Sequence, residues 1–324
     1  MSAFGAAIAV MADRALGEPP TPVHPVAKFG NVMNRLEGHL WRDHRGAGIA
    51  HCLAGTALGA GTGVGLSRLT GAAAASAAAG TLAVGGRMLG DVAADIGAAL
   101  ERDDLDGARA LLPGLVGRSP EHLGTSEIAR AVIESVAENT VDAIVAPALW
   151  TAALGAPGAL AYRAVNTLDA MVGHRNARYE QFGWASARLD DVANWIPARF
   201  TACLVAAARP RAATAVWTCV RRDAPAHPSP NSGVAEAAFA AALGVQLGGV
   251  NTYGDRVEDR GTLGIGRAPT GNDIAAAVRL SRDVSMACAV ALALLAGSRW
   301  LRAERAARPG DSTRNAPTDA GARS

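Results

Sequence analysis

Lysine is all but missing from this chain: Lys28 is the only one, so nearly all the positive charge is arginine. A Walker-type phosphate loop needs its own lysine straight after a glycine-rich turn. Lys28, in PVAKFG, has no such turn before it, which excludes that loop. Aromatic residues make up only 4% of the chain, no basic run is interleaved with them, and the formal net charge is +2. A nucleic-acid footprint is therefore absent. Cys52, Cys203, Cys219 and Cys288 are scattered through apolar surroundings, with no pair at metal-ligand or redox spacing, and read as core filler. The opening SAFGAAIAVMAD has no basic region before its short apolar run, so it is expected to be mature sequence rather than a signal peptide.

What the chain does have is alanine, glycine and aliphatic residues: half of it is hydrophobic, and the mean hydropathy is +0.14. That is high for a soluble protein and low for a dense transporter. Residues 48–67 and 69–89 are apolar runs separated by Arg68. One continuous helix would bury that arginine at about 2.5–3.5 kcal/mol, so a hairpin with Arg68 near its turn is expected. Residues 200–220 are interrupted by Arg209-Pro210-Arg211 and suit an interfacial helix. Residues 284–298 form a short span, and Arg299, Arg302, Arg305 and Arg308 follow it, placing the C-terminal end in the cytoplasm by the positive-inside rule. Residues 1–12 suit a membrane-dipping helix, 13–30 an ordered Pro/Gly loop, and 31–42 an amphipathic surface helix. Residues 91–135 are charged at helical spacing and suit soluble, cytoplasmic helices. The expectation is an all-α, polytopic membrane helical bundle of the cell membrane: one domain over 1–302 and a disordered tail over 303–324.

The chemistry gathers in residues 134–199 and 227–253. Glu134, Glu138 and Asp142 recur every fourth residue, so one helix would carry all three on a narrow stripe. Like charges so placed repel by a few tenths of a kcal/mol per pair, about 0.2–0.5, which a cation or a basic substrate group would relieve. The uncharged run 143–162 contains Gly155-Ala156-Pro157-Gly158, a strong helix breaker. Arms of roughly 20 and 16 Å on either side of it would bring ESVAENTVD and NTLDAMVG to the same end of an antiparallel hairpin. In RLDDVAN, Asp190 and Asn194 share a helical face and Asp191 meets Arg188, an arrangement that suits Mg²⁺ bound through carboxylates and substrate phosphate. In HPSPNSG, Ser232 could cap a helix whose amide groups would face an anion. His227 begins that loop, and His24 stands in a second His-Pro pair.

DRALGEPPTPVHPVAKFG, ESVAENTVDAIVAP, AVNTLDAMVGHRN, FGWASARLDDVANWIPAR, HPSPNSGVAEAA and LGVQLGGVNTYG, in this order, resemble the CobD/CbiB family of cobalamin biosynthesis over residues 13–264. The departures are Glu18, where Asp is commoner, and His174, where Tyr is. The resemblance implies a multi-pass membrane enzyme that joins aminopropanol or its phosphate, through an amide, to a propionate carboxyl of adenosylcobyric acid. It implies a corrinoid substrate, a lipid environment and other enzymes of the pathway as partners. Amide formation calls for activation of the carboxylate, with ATP and Mg²⁺ as the expected agents, and for a base. On this reading Glu134, Glu138, Asp142, Asp190 and Asp191 divide metal and base duties, with Glu138 and Asp190 as the Mg²⁺ ligands. Arg175 and Arg188 hold phosphate. Asn139, Asn166, Asp169, Asn194, Asn231, His24 and His227 contact substrate. Two other classes share the same helical frame: a Mg²⁺-dependent membrane prenyltransferase, through LDDVAN, and a non-enzymatic membrane sensor or transport component.

Overall fold

The computed structural model describes residues 2–17, 25–117, 120–174, 176–253 and 256–307. Alanine and leucine, the strongest helix formers, dominate it, and the result is a helical bundle. Its helices are α1 (Ser2–Leu16), α2 (Pro25–Leu40), α3 (Arg45–Thr70), α4 (Ala72–Ala83), α5 (Gly86–Glu101), α6 (Leu105–Leu111), α7 (Thr125–Thr140), α8 (Ala146–Val172), α9 (Trp184–Ala208), α10 (Ala213–Asp223), α11 (Ser232–Leu243) and α12 (Gly271–Ala307). An antiparallel hairpin, β1 (Leu247–Tyr253) with β2 (Arg256–Leu263), departs from the all-α expectation without changing the fold class. Its glycines at 248, 249 and 261 have positive φ and give a bulged ribbon where LGGVNTYG would read as loop.

Among the described residues, three helical stretches are long and apolar enough to cross a membrane: Arg45–Thr70, Thr125–Val172 and Gly271–Glu304. The first packs through a row of glycines. A Cβ at Gly59 would lie 2.5 Å from the Leu160 carbonyl, and one at Gly63 would lie 2.5 Å from Pro157. Backbones that approach this closely leave no room for large side chains, which accounts for a chain so poor in aromatics.

The second stretch folds back on itself at Gly155, whose φ of 69° and ψ of −149° are non-helical. Three contacts show the reversal. Tyr162 donates its hydroxyl to the Asp142 carbonyl at 3.1 Å, Thr151 lies beside Gly80 on α4, and Leu160 lies beside Gly59 on α3. The hairpin read from GAPG is therefore present, with both polar ends at one end of the bundle.

The hairpin expected around Arg68 is also present: the α3–α4 turn falls at Gly71 (φ 81°), and Arg68 sits in the last turn of α3. Glycine tolerates the positive φ that arginine resists. The second arm ends at Ala83, where Val84 is extended and Gly85 bonds to the Ala143 carbonyl, so 86–89 belong to α5. The loop expected over 13–30 is helical at both ends, because Pro25 is tolerated as the first helical residue. Helix α12 runs on to Ala307, which makes 303–307 helical; the remaining tail, 308–324, lies outside the described residues.

Candidate active site

Helix α7 carries the acidic stripe, but the three carboxylates go to three different elements. Glu134 is buried. It accepts the Gly248 amide of β1 at 2.8 Å and lies 4.0 Å from Arg130 Nε. Glu138 accepts the Ser232 hydroxyl, at the start of α11, at 2.7 Å. Asp142 falls in a π-turn over Val141–Val145 and meets Asn166 Nδ2, on the return arm of α8, at 3.5 Å. A π-turn is rare, is frequent at functional sites, and turns Asp142 off the line of the other two. The stripe read from the spacing is thus bent at Asp142, and donors on three elements meet its carboxylates.

Helix α9 supplies the facing carboxylate. Asp190 is buried, accepts Asn194 Nδ2 at 2.9 Å, and lies 3.5 Å from the same Asn166 amide that reaches Asp142. Asn194 in turn accepts the Tyr162 hydroxyl at 2.8 Å, closing a polar chain from Asp142 through Tyr162 and Asn194 to Asp190. Burial, and next the charge of Asp169, push the Asp190 carboxyl up to about 7. A buried carboxyl poised there can take a proton from an ammonium group at neutral pH.

Asp169, also on the return arm, lies within electrostatic reach of Glu138, Asp190 and Asp191. Asp191 pairs with exposed Arg188 at 3.4 Å on the rim. Asn231 donates to the Asp191 carbonyl at 2.8 Å and accepts Arg199 Nη1 at 3.1 Å, tying the HPSPNSG loop to α9.

A second buried layer adjoins the first through Ser232. His227 Nδ1 lies 3.0 Å from the Ser229 amide and 3.2 Å from the Ser229 carbonyl, and Nε2 lies 3.7 Å from Glu236. Arg260 of β2 lies 3.5 Å from the same carboxylate. Burial, then the charge of Arg260, lowers the His227 pKa and favours neutral imidazole.

The structure therefore gathers Glu138, Asp142, Asn166, Asp169, Asp190, Asp191, Asn194 and Asn231 around one site, with Arg188 at its rim. Glu134 and His227 stand in the adjoining layer. Asn139 turns away, donating to Ser135 on its own helix at 3.0 Å. His24 and Arg175 lie outside the described residues.

Sequence reasoning missed Tyr162, Glu236, Arg260 and, above all, Arg163. The Arg163 guanidinium acts electrostatically on Asp142, and its buried Nε has no hydrogen-bond partner among the described residues. Its signal was available: Arg163 stands three residues before Asn166, on the same helical face.

No group of three or more His, Cys, Asp or Glu among the described residues is placed to hold a metal ion. Mg²⁺ in phosphate-handling sites uses one or two carboxylates and completes its shell with phosphate oxygens and water. Asp142 and Asp190, flanking the Asn166 amide, fit that mode, and Asp142 is also within reach of Glu138.

Fold and site together define a helical protein with membrane-length apolar helices and a buried carboxylate–amide site at one end of its bundle. The family model described as CobD/Cbib protein matches residues 6–281. The chain is 48% identical over 304 residues to a cobalamin biosynthesis protein CobD of Mycobacterium tuberculosis H37Rv, covering 90% of this chain and 95% of that one. It is 43% identical to the CobD of Geobacter metallireducens (82% and 87% covered) and 42% identical to that of Rhizobium meliloti (87% and 90%). The chain belongs to the CobD/CbiB family. No solved structure matches it significantly.

Proposed function

We propose that this chain is a cobalamin-biosynthesis enzyme that condenses aminopropanol, or its phosphate, with a propionate carboxyl of adenosylcobyric acid, giving adenosylcobinamide or its phosphate. The observation that carries the reading is the pair Asp142 and Asp190 on either side of Asn166, with Arg163 beside them. Condensing a carboxylate with an ammonium group removes one water and requires a proton to leave nitrogen. Asp190 takes that proton, and Asn166 and Asn194 hold its carboxylate in place. Arg163 receives the anionic end of a substrate, the propionate or the amine's phosphate.

The carboxylate oxygen must leave as a better group than hydroxide. ATP with Mg²⁺ would supply that activation, and Asp142 with Glu138 alongside would hold the metal, leaving Asp190 as the base. The protein lies in the cell membrane and crosses it more than once. This reading draws support from the three membrane-length helices. A large, partly apolar corrin ring suits a site at the membrane edge.

The test is an omission series on detergent-purified protein with adenosylcobyric acid, aminopropanol phosphate, ATP and Mg²⁺, read by mass spectrometry. Product at the summed substrate mass less one water, dependent on ATP, is the expected outcome. Product without ATP would remove the activation step and keep the condensation. No product from folded protein with either amine would overturn the function.

A further inference from the structure

Behind α7, on the side away from the acidic site, α1, α5 and α12 enclose a cavity of about 280 Å³. Three arginines line it, Arg14, Arg87 and Arg282, against two carboxylates, Asp13 and Asp91. Asp13 is committed to the start of α5, accepting the Gly86 and Arg87 amides at 3.1 Å each. Arg87 is held by Asp91 at 3.6 Å and by the Ala15 carbonyl at 3.0 Å. Arg14 and the exposed Arg282 make no ion pair or hydrogen bond among the described residues, so both guanidinium groups stand ready for an anion.

Glycine contacts fix how the walls run. Along α1 and α4, Gly5 sits level with Ser76 and Ala9 with Gly80, and Asp13 then meets Gly86 at the start of α5. Farther along α5, Gly90 meets Val278 and Gly97 meets Ile274, so α12 runs antiparallel to this line. The N-terminal part of α1 and the apolar part of α12 therefore extend from the cavity in the same direction. Both expose apolar side chains along the way: Phe4, Ile8 and Met11 on α1, and Met286, Val290 and Leu294 on α12. Met11 lies one turn from Arg14, and Arg282 begins the row that continues through Met286. Two apolar stripes thus each end in an arginine at one cavity.

We propose that this cavity binds the phosphate of an anionic phospholipid, with its acyl chains lying along the α1 and α12 stripes. The inference rests on the membrane location given under the proposed function and is independent of the amide chemistry. A soluble phosphate would use the arginines but would leave the apolar stripes without a role.

The test is native mass spectrometry of protein released from micelles containing equal amounts of phosphatidylglycerol and phosphatidylcholine. The expected result is retention of phosphatidylglycerol over phosphatidylcholine, falling about thirty-fold in R14Q/R282Q and unchanged in R68Q, at the far end of α3. Glycerol phosphate, the headgroup without chains, is expected not to displace it. Equal retention of the two lipids by the wild-type protein would overturn the proposal without reference to any variant. So would full retention by R14Q/R282Q. Displacement by glycerol phosphate would overturn the lipid in favour of a soluble phosphate ligand. Loss of condensation activity with lipid selectivity intact would separate failure of the functional reading from failure of this one.

Discussion

The hydroxyl of Ser232 donates to the carboxylate of Glu138 at 2.7 Å, joining α11 to α7 across 94 residues of chain. This contact sets the acidic site against the His227–Glu236 layer. Ser232→Ala removes the donor and leaves the Glu138 carboxylate under-solvated. A hydrogen bond to a charged group contributes about 1.5–3 kcal/mol, so kcat/KM is expected to fall roughly ten- to hundred-fold. Steady-state condensation kinetics check this, with Ser232→Thr expected to retain most of the activity.

Asp190 gives the site a pH dependence of known sign. Its folded pKa is about 7, against an ordinary 3.8. Between those values the folded protein binds more protons than the unfolded chain, so this group's contribution to stability falls as pH rises through the window. Asp190→Asn is expected to remove that slope, stabilising the protein above neutral pH by on the order of 1–4 kcal/mol while lowering turnover about 10²–10⁴-fold. Thermal unfolding in detergent between about pH 5 and pH 8 reads the first effect. In the wild type, activity should rise with deprotonation of a group near pH 7.

Gly155 holds the hairpin together through a backbone conformation closed to other residues, and a Cβ there would lie 2.9 Å from the Ser76 hydroxyl. Gly155→Val is expected to cost about 1–3 kcal/mol. Because the turn sets the register of Asp142 against Asn166, activity should fall further than the unfolding midpoint alone implies. Comparing the two in one preparation checks this.

Arg163 is the cation poised on the site, and its buried Nε lacks a hydrogen-bond partner among the described residues. Arg163→Met keeps the apolar stem and removes the charge, so KM for the anionic substrate should rise at least about ten-fold. Lysine should restore part of the loss, since it supplies charge without the planar fork. Substrate titrations with aminopropanol and with its phosphate identify which anion Arg163 meets.

The hairpin was legible because its determinants are local: a Pro-Gly break inside an uncharged run, with arms of similar length. So were Asp190 and Asn194, one turn apart on one helix. The π-turn at 141–145 was not, because nothing in VDAIV departs from an α-helical pattern. That turn sends Asp142 toward α8 while Glu138 faces α11. Glu236 sits in AEAAFAAAL and reads as a helix residue until His227 and Arg260 are brought to it by tertiary packing. The α3–α4 turn was legible from the cost of burying Arg68, which sits in the last turn of α3, three residues before the reversal at Gly71.

The central claim is that the amide forms between α7, the return arm of α8, and α9. Its most direct test is single-turnover condensation by wild-type, Asp142→Asn and Asp190→Asn proteins, with corrinoid binding followed optically in the same samples. The account predicts that both variants bind corrinoid and lose about 10²–10⁴ in rate. Near wild-type turnover in both would contradict it and place the chemistry elsewhere in the protein.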